Sequence, residues 1–247
     1  MLISEEKIDN KSTQSNALLN EYDLPLWKRI VLFLIGSIGL QGIALLVSLM
    51  VMNSPIEERN AQVNLITYSI LVTIMLAIIV FDFPRLIKKL KNWQYYLYGF
   101  GLGICIIVFD YFYSFILNLF YQQGINENET GVRGIIDIYP VAAFFILGII
   151  GPLTEELTYR SGLFASIRKW NKVIAYIATI IIFALIHFRF TATNIWNEVA
   201  SLPIYLVSGL VLTFAYDIFG FSASLTAHMT NNLWAVIAQL IIKSITK

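Results

Sequence analysis

The chain has 247 residues, 57% of them hydrophobic and only 13% charged, and its mean hydropathy is +0.70. A soluble domain carries about twice that charged fraction, which excludes an ordinary water-soluble globule. The formal net charge of +1, with no basic cluster, argues against nucleic acid as a partner.

Residues 1–26 are polar and of mixed charge, and they lack the basic start and short apolar core of a cleaved signal peptide. They read as a solvated, flexible tail. Seven apolar segments follow, at about 27–52, 63–83, 95–121, 138–153, 173–190, 199–216 and 219–242, several of them reaching the roughly 20 residues that cross a bilayer as helix. The expected fold is all-α: a polytopic transmembrane bundle of about seven spans forming one domain over 27–247. Weak separation around Asp217 to Gly220 leaves six or eight spans open. Trp27, Trp93, Trp170 and Trp196 fall near segment ends, as interfacial anchors do. Most lysines and arginines, including Lys28, Arg29, Arg85, Lys88, Lys89, Lys91, Arg168, Lys169 and Lys172, collect on one side. The positive-inside rule then puts the N-terminus in the cytoplasm of a cell-membrane protein. Gly151-Pro152 predicts a kink, after which the chain continues helical to Lys169.

Within this apolar chain the stretch Thr154-Glu155-Glu156-Leu157-Thr158-Tyr159-Arg160 stands out, because ionisable groups at membrane depth are costly and mark function or internal pairing. On a helix, Glu156 and Arg160 share a face with the acid N-terminal to the base, while Glu155 points about 100° away. Glu156 is thus expected to pair with Arg160 and Glu155 to face something else. His187 and His228 are the only histidines, and His228 and Asn232 share a face, as do Phe183 and His187. Counting about 1.5 Å of rise per residue from the basic edge, Glu155, His187, His228 and Asn232 all come to depths of roughly 16–22 Å. Three helices are therefore expected to bring these groups to one level.

A carboxylate and an imidazole around a water make a general-base arrangement, and a second imidazole with an amide can hold the oxyanion of peptide hydrolysis. Glu155 and His187 fit the first role, His228 and Asn232 the second. Glu155, His187 and His228 also form a donor set for zinc, and the residues themselves do not choose between the two. There is no His-Glu-x-x-His and no Gly-x-Ser-x-Gly. Tyr216-Asp217 lacks the partner Gly-x-Gly-Asp of an aspartyl design, since Ile104 follows Gly101-Leu102-Gly103. Asp110 is expected to hydrogen-bond within the bundle, and the single cysteine, Cys105, to be a small core residue that allows no intrachain disulfide.

Glu155-Glu156-x-x-x-Arg160, Phe183-x-x-x-His187 and His228-x-x-x-Asn232, in that order on separate apolar segments, resemble the three motifs of the CPBP (CAAX protease and bacteriocin-processing, or Abi) family of intramembrane proteases. The resemblance covers roughly 138–243. It implies an endopeptidase acting on a small membrane-bound peptide or protein, in peptide processing or bacteriocin self-immunity. It also implies catalytic roles for Glu155, His187, His228 and Asn232, with Glu156 and Arg160 in support. Both a metal site and a metal-independent glutamate mechanism are compatible with it. The family commonly has Gly directly after the motif arginine; here Ser161 precedes Gly162. The rival reading is a non-catalytic membrane immunity or scaffold protein that binds a peptide or membrane partner through the same bundle. A small transporter is disfavoured because no internal repeat is visible.

Overall fold

The computed structural model describes residues 24–82, 92–121 and 124–245. The polar tail up to residue 23 and the basic link holding Arg85, Lys88, Lys89 and Lys91 lie outside the described residues. Eight helices and no strand occur among the described residues. They are α1 (Leu26–Met50), α2 (Ile56–Ile79, extended by a tighter turn over Val80–Asp82), α3 (Trp93–Phe120), α4 (Glu127–Ile138), α5 (Pro140–Arg168), α6 (Lys172–Ile186), α7 (Ile195–Phe219) and α8 (Phe221–Ile245).

Starts and stops follow local chemistry. Asn92, Asn126, Asn171 and Asn194 each cap the helix that follows by accepting a backbone N–H, at 3.2, 2.7, 3.0 and 3.1 Å. Such caps contribute about 1 kcal/mol each. Gly220, at φ +87°, is the one residue between α7 and α8. A side chain there would be strained, so the chain reverses at a glycine.

By length and apolarity, α1, α2, α3, α5 and α7 are long enough to cross a bilayer, and α6 is a shorter apolar helix. The protein is a multi-pass, all-helical membrane protein. α8 is as long as α7 but more polar, since it carries Ser222, Ser224, Thr226, His228, Thr230, Asn231 and Asn232. The segment expected at 138–153 is the first half of α5, which continues helical past Pro152 to Arg168 as expected; the turns before the proline widen over Ile146–Ile150, with the Gly151 N–H reaching back to the Ile146 carbonyl. Other details depart from the sequence reading. A second widened stretch covers Glu156–Phe164, in place of regular α-turns. The segment expected to reach 190 ends at Ile186, where the His187 ring takes up the Phe183 carbonyl and residues 187–194 leave the helix. At about 22 Å, α6 is too short to cross a hydrocarbon core of roughly 30 Å. α4, over the link at 126–129, was not expected at all.

Basic residues gather at one end of the bundle. Lys28 pairs with Asp82 at 2.5 Å, Arg29 donates to the Ala165 carbonyl at 2.8 Å, and the buried Asp217 carboxylate takes Arg168, Lys172 (2.7 Å) and Tyr176 (3.1 Å). This set explains Asp217 as an end-fastening residue. Trp27, Trp93, Trp170 and Trp196 are all more than half exposed at helix ends, matching the interfacial pattern. Cys105 is exposed on α3 and not in the core as expected, and Asp110 Oδ1 is buried without a hydrogen-bond partner among the described residues, contrary to the expected bundle hydrogen bond.

Close packing of α3 on α8 places the last helix. A Cβ on Gly99 would lie 2.4 Å from the Ala223 carbonyl oxygen, and one on Gly103 would lie 2.7 Å from that of Ala227. Backbone atoms cannot yield, so only glycine lets the helices meet this closely. Gly103→Leu should therefore cost about 1–3 kcal/mol of stability, read as the shift in unfolding in mixed detergent micelles. Gly101→Leu, whose Cβ meets nothing within 4 Å, should leave unfolding unchanged.

Candidate active site

The site is built around the fully buried carboxylate of Glu156. Its Oε1 lies 3.1 Å from Arg160 Nη1 and accepts a hydrogen bond from His228 Nδ1 at 2.8 Å, while Oε2 accepts from the Ser224 hydroxyl. Ser224 is the residue four before His228, on the same face of α8, and it is buried. The Arg160 nitrogens have no aligned hydrogen-bond acceptor among the described residues; the guanidinium is held by the ion pair and by the Phe183 face, 4.3 Å from the ring centroid. Glu156 thus does more than neutralise Arg160, as the spacing suggested. It also orients the imidazole of a distant helix.

Glu155 faces the other way. Its Oε2 is buried and makes no hydrogen bond among the described residues, and it lies 3.7 Å from His228 Nε2 and 4.0 Å from His187 Nε2. Both imidazoles are fixed from behind. A carbonyl or carboxylate oxygen can only accept, so the Phe183 carbonyl at 2.8 Å and Glu156 at 2.8 Å each require a proton on Nδ1 of their histidine. In the neutral rings both Nε2 lone pairs then point towards Glu155. The structure therefore brings together Glu155, Glu156 and Arg160 of α5, His187 at the end of α6 and His228 of α8. Asn232, one turn beyond His228, donates its amide to the Leu147 carbonyl at 3.1 Å, in the widened turn before Pro152.

Several residues the sequence did not single out complete the surroundings. Tyr68 of α2 lies beside Glu155, which makes the second span part of the site. The Tyr205 ring stacks on His187, with centroids 4.5 Å apart and planes 15° from parallel. Phe183 lies edge-on to His228 at 5.9 Å and to Tyr159 at 5.8 Å. Ser224 could have been found from its helical spacing to His228. Tyr68 and Tyr205 carry no such signal. As for Ser161, the close approach made possible by a missing side chain falls at Gly162, where a Cβ would lie 3.0 Å from Phe33 N and 3.1 Å from the Arg29 carbonyl of α1.

Glu155, His187 and His228 are donors of the kind zinc accepts. Bonds of roughly 2.0–2.2 Å in a tetrahedral shell would set them about 3.4 Å apart. The observed 3.7 and 4.0 Å are wider, and no three His, Cys, Asp or Glu among the described residues are placed to hold an ion. As arranged, the three do not make a metal shell.

Two carboxylates and two imidazoles thus converge between the helices of a membrane protein, a set of groups able to activate water. Comparison with known proteins agrees. A family model described as "Type II CAAX prenyl endopeptidase Rce1-like" matches residues 137–234. The UPF0177 protein YxdF of Lactococcus lactis subsp. lactis (strain IL1403) is 33% identical over 150 residues, 60% of this chain and 79% of that protein. UPF0177 protein YvdC of the same strain is 25% identical over 179 residues, covering 70% and 64%. The membrane-embedded CAAX protease MroQ of Staphylococcus aureus (strain USA300) is 29% identical over 154 residues, covering 59% and 57%. The matches span less than two thirds of the length of the latter two. No solved structure matches the chain. The chain belongs to the CPBP family of membrane proteases.

The two adjacent glutamates should separate cleanly on mutation. Glu156→Ala leaves Arg160 buried and unpaired and should cost about 3–5 kcal/mol, seen as loss of folded protein in detergent unfolding. Glu155→Gln, which removes no ion pair from the buried set, should unfold as the wild type does.

Proposed function

We propose that the protein is an intramembrane endopeptidase of the cell membrane, with its N-terminus in the cytoplasm, that hydrolyses a peptide bond in a small membrane-associated peptide or protein. Residues 27–247 serve as one protease unit. The observation that carries this reading is the buried, unbonded Glu155 Oε2 between two Nε2 atoms at 3.7 and 4.0 Å. Direct hydrogen bonds do not reach those distances, whereas a single water in the gap donates its two hydrogens to Glu155 Oε2 and His187 Nε2 at about 2.8 Å each.

In the reaction, Glu155 takes a proton from that water as its oxygen attacks the peptide carbonyl, with His187 Nε2 holding the second hydrogen in line. The carbonyl π electrons move to oxygen, and the oxyanion is met by His228. Because Glu156 occupies Nδ1, Nε2 of His228 donates to the oxyanion only when the ring carries both protons. The free N–H of the Asn232 amide serves as the second donor. Glu155 then passes its proton to the leaving nitrogen, the C–N bond breaks, and the new carboxyl and amine leave. Every step uses water and groups of this chain.

Quantitative peptidomics of membranes carrying wild-type or Glu155→Gln protein tests the reading. Fragments present with the wild type should vanish with Glu155→Gln and with His187→Ala, at equal protein levels. Undiminished fragments in both variants, with the biological effect of the protein intact, would instead favour a non-catalytic immunity or scaffold role. With the donors spaced as they are, cleavage should also survive exhaustive chelation; loss restored by zinc would put an ion in the reaction.

A further inference from the structure

We propose that Tyr205 is a positioning residue for His187, held in place by the segment that enters α4; the proposal rests on the endopeptidase reading above. His187 is the first residue beyond α6, so no following helical turn braces it. The one hydrogen bond of its ring among the described residues, from Nδ1 to the Phe183 carbonyl at 2.8 Å, is an axis about which the ring can swing. A swing would carry Nε2 away from Glu155. The Tyr205 face, stacked at 4.5 Å and 15°, blocks that motion on one side, and the Phe183 ring, at 4.9 Å and 52°, is the other aromatic neighbour of His187.

Tyr205 is itself fixed at its far end. Its phenol oxygen accepts N–H groups from Asn126 at 3.1 Å and Asn128 at 3.2 Å. Asn126 is locked as the cap of α4 through the Glu129 N–H at 2.7 Å. Two turns earlier on α7, the buried Glu198 carboxylate accepts the Glu127 N–H at 2.8 Å and the Arg189 N–H at 2.9 Å. It thereby binds the start of α4 and the loop after His187 to the same helix. The short amphipathic helix between the third and fourth apolar segments is thus connected, through one aromatic ring, to a water-orienting histidine. Small displacements of such a group reduce turnover by one to two powers of ten.

With only two histidines in the chain, protein labelled at the histidine rings gives two sets of ring signals. Tyr205→Leu should move the His187 ring protons downfield, as the stacked ring current is lost, and leave His228 in place. In membrane peptidomics, Tyr205→Leu should slow the appearance of Glu155-dependent fragments about tenfold or more, while Tyr205→Phe, which keeps the ring but loses the bonds from Asn126 and Asn128, should slow it less, by about threefold. Unmoved His187 signals, wild-type cleavage in Tyr205→Leu, or equal impairment in the Leu and Phe variants would each overturn the proposal. Persistence of the fragments in Glu155→Gln would instead remove the protease reading, and the histidine spectra would still decide whether Tyr205 holds His187.

Discussion

The structure depends on one buried carboxylate having enough partners. Glu156 is fully buried at membrane depth, where an isolated charge is unaffordable and even a paired one is costly to desolvate. Its two oxygens are met by Arg160, His228 and Ser224. Two of those partners sit on α8, so meeting the charge requires that α8 lie against α5 in one register. The glycine faces of α3 let α8 approach closely on its other side. An electrostatic requirement in one turn of α5 thereby fixes where the last helix sits.

The reactive side of the site follows from the same requirement. By holding Nδ1 of His228, Glu156 turns Nε2 towards Glu155. The Phe183 carbonyl does the same for His187. Adjacent residues on a helix face different directions, so a Glu-Glu pair supplies one carboxylate to the framework and one to the centre. Widened turns over Glu156–Phe164 are of the kind that often occurs at functional positions in helices.

Much of this was legible in the sequence because the bilayer is a demanding solvent. It imposes helix length and makes each buried charge conspicuous, which is why the apolar segments, the distinct faces of Glu155 and Glu156, and the common depth of His187 and His228 could be read from spacing. What escaped depends on tertiary contacts. The bond from His228 to Glu156 joins residues 72 apart, and helical periodicity says nothing about which neighbour a face meets. Tyr68 and Tyr205 look like ordinary aromatics of apolar segments until their partners are known. α4 is too polar to register as a span and begins within a run of asparagine and glutamate that reads as a link. The end of α6 at Ile186 was missed because its stop is a side-chain contact of His187, with no glycine or proline to announce it.

The central claim is that Glu156 and the Phe183 carbonyl hold both histidines by Nδ1, leaving Nε2 of each towards Glu155. Nitrogen-15 shifts of the two labelled histidine rings, in the folded protein in micelles near neutral pH, test it most directly. The account predicts a protonated Nδ1 on both rings, whether or not His228 also carries a second proton. A bare Nδ1 on either ring would contradict it.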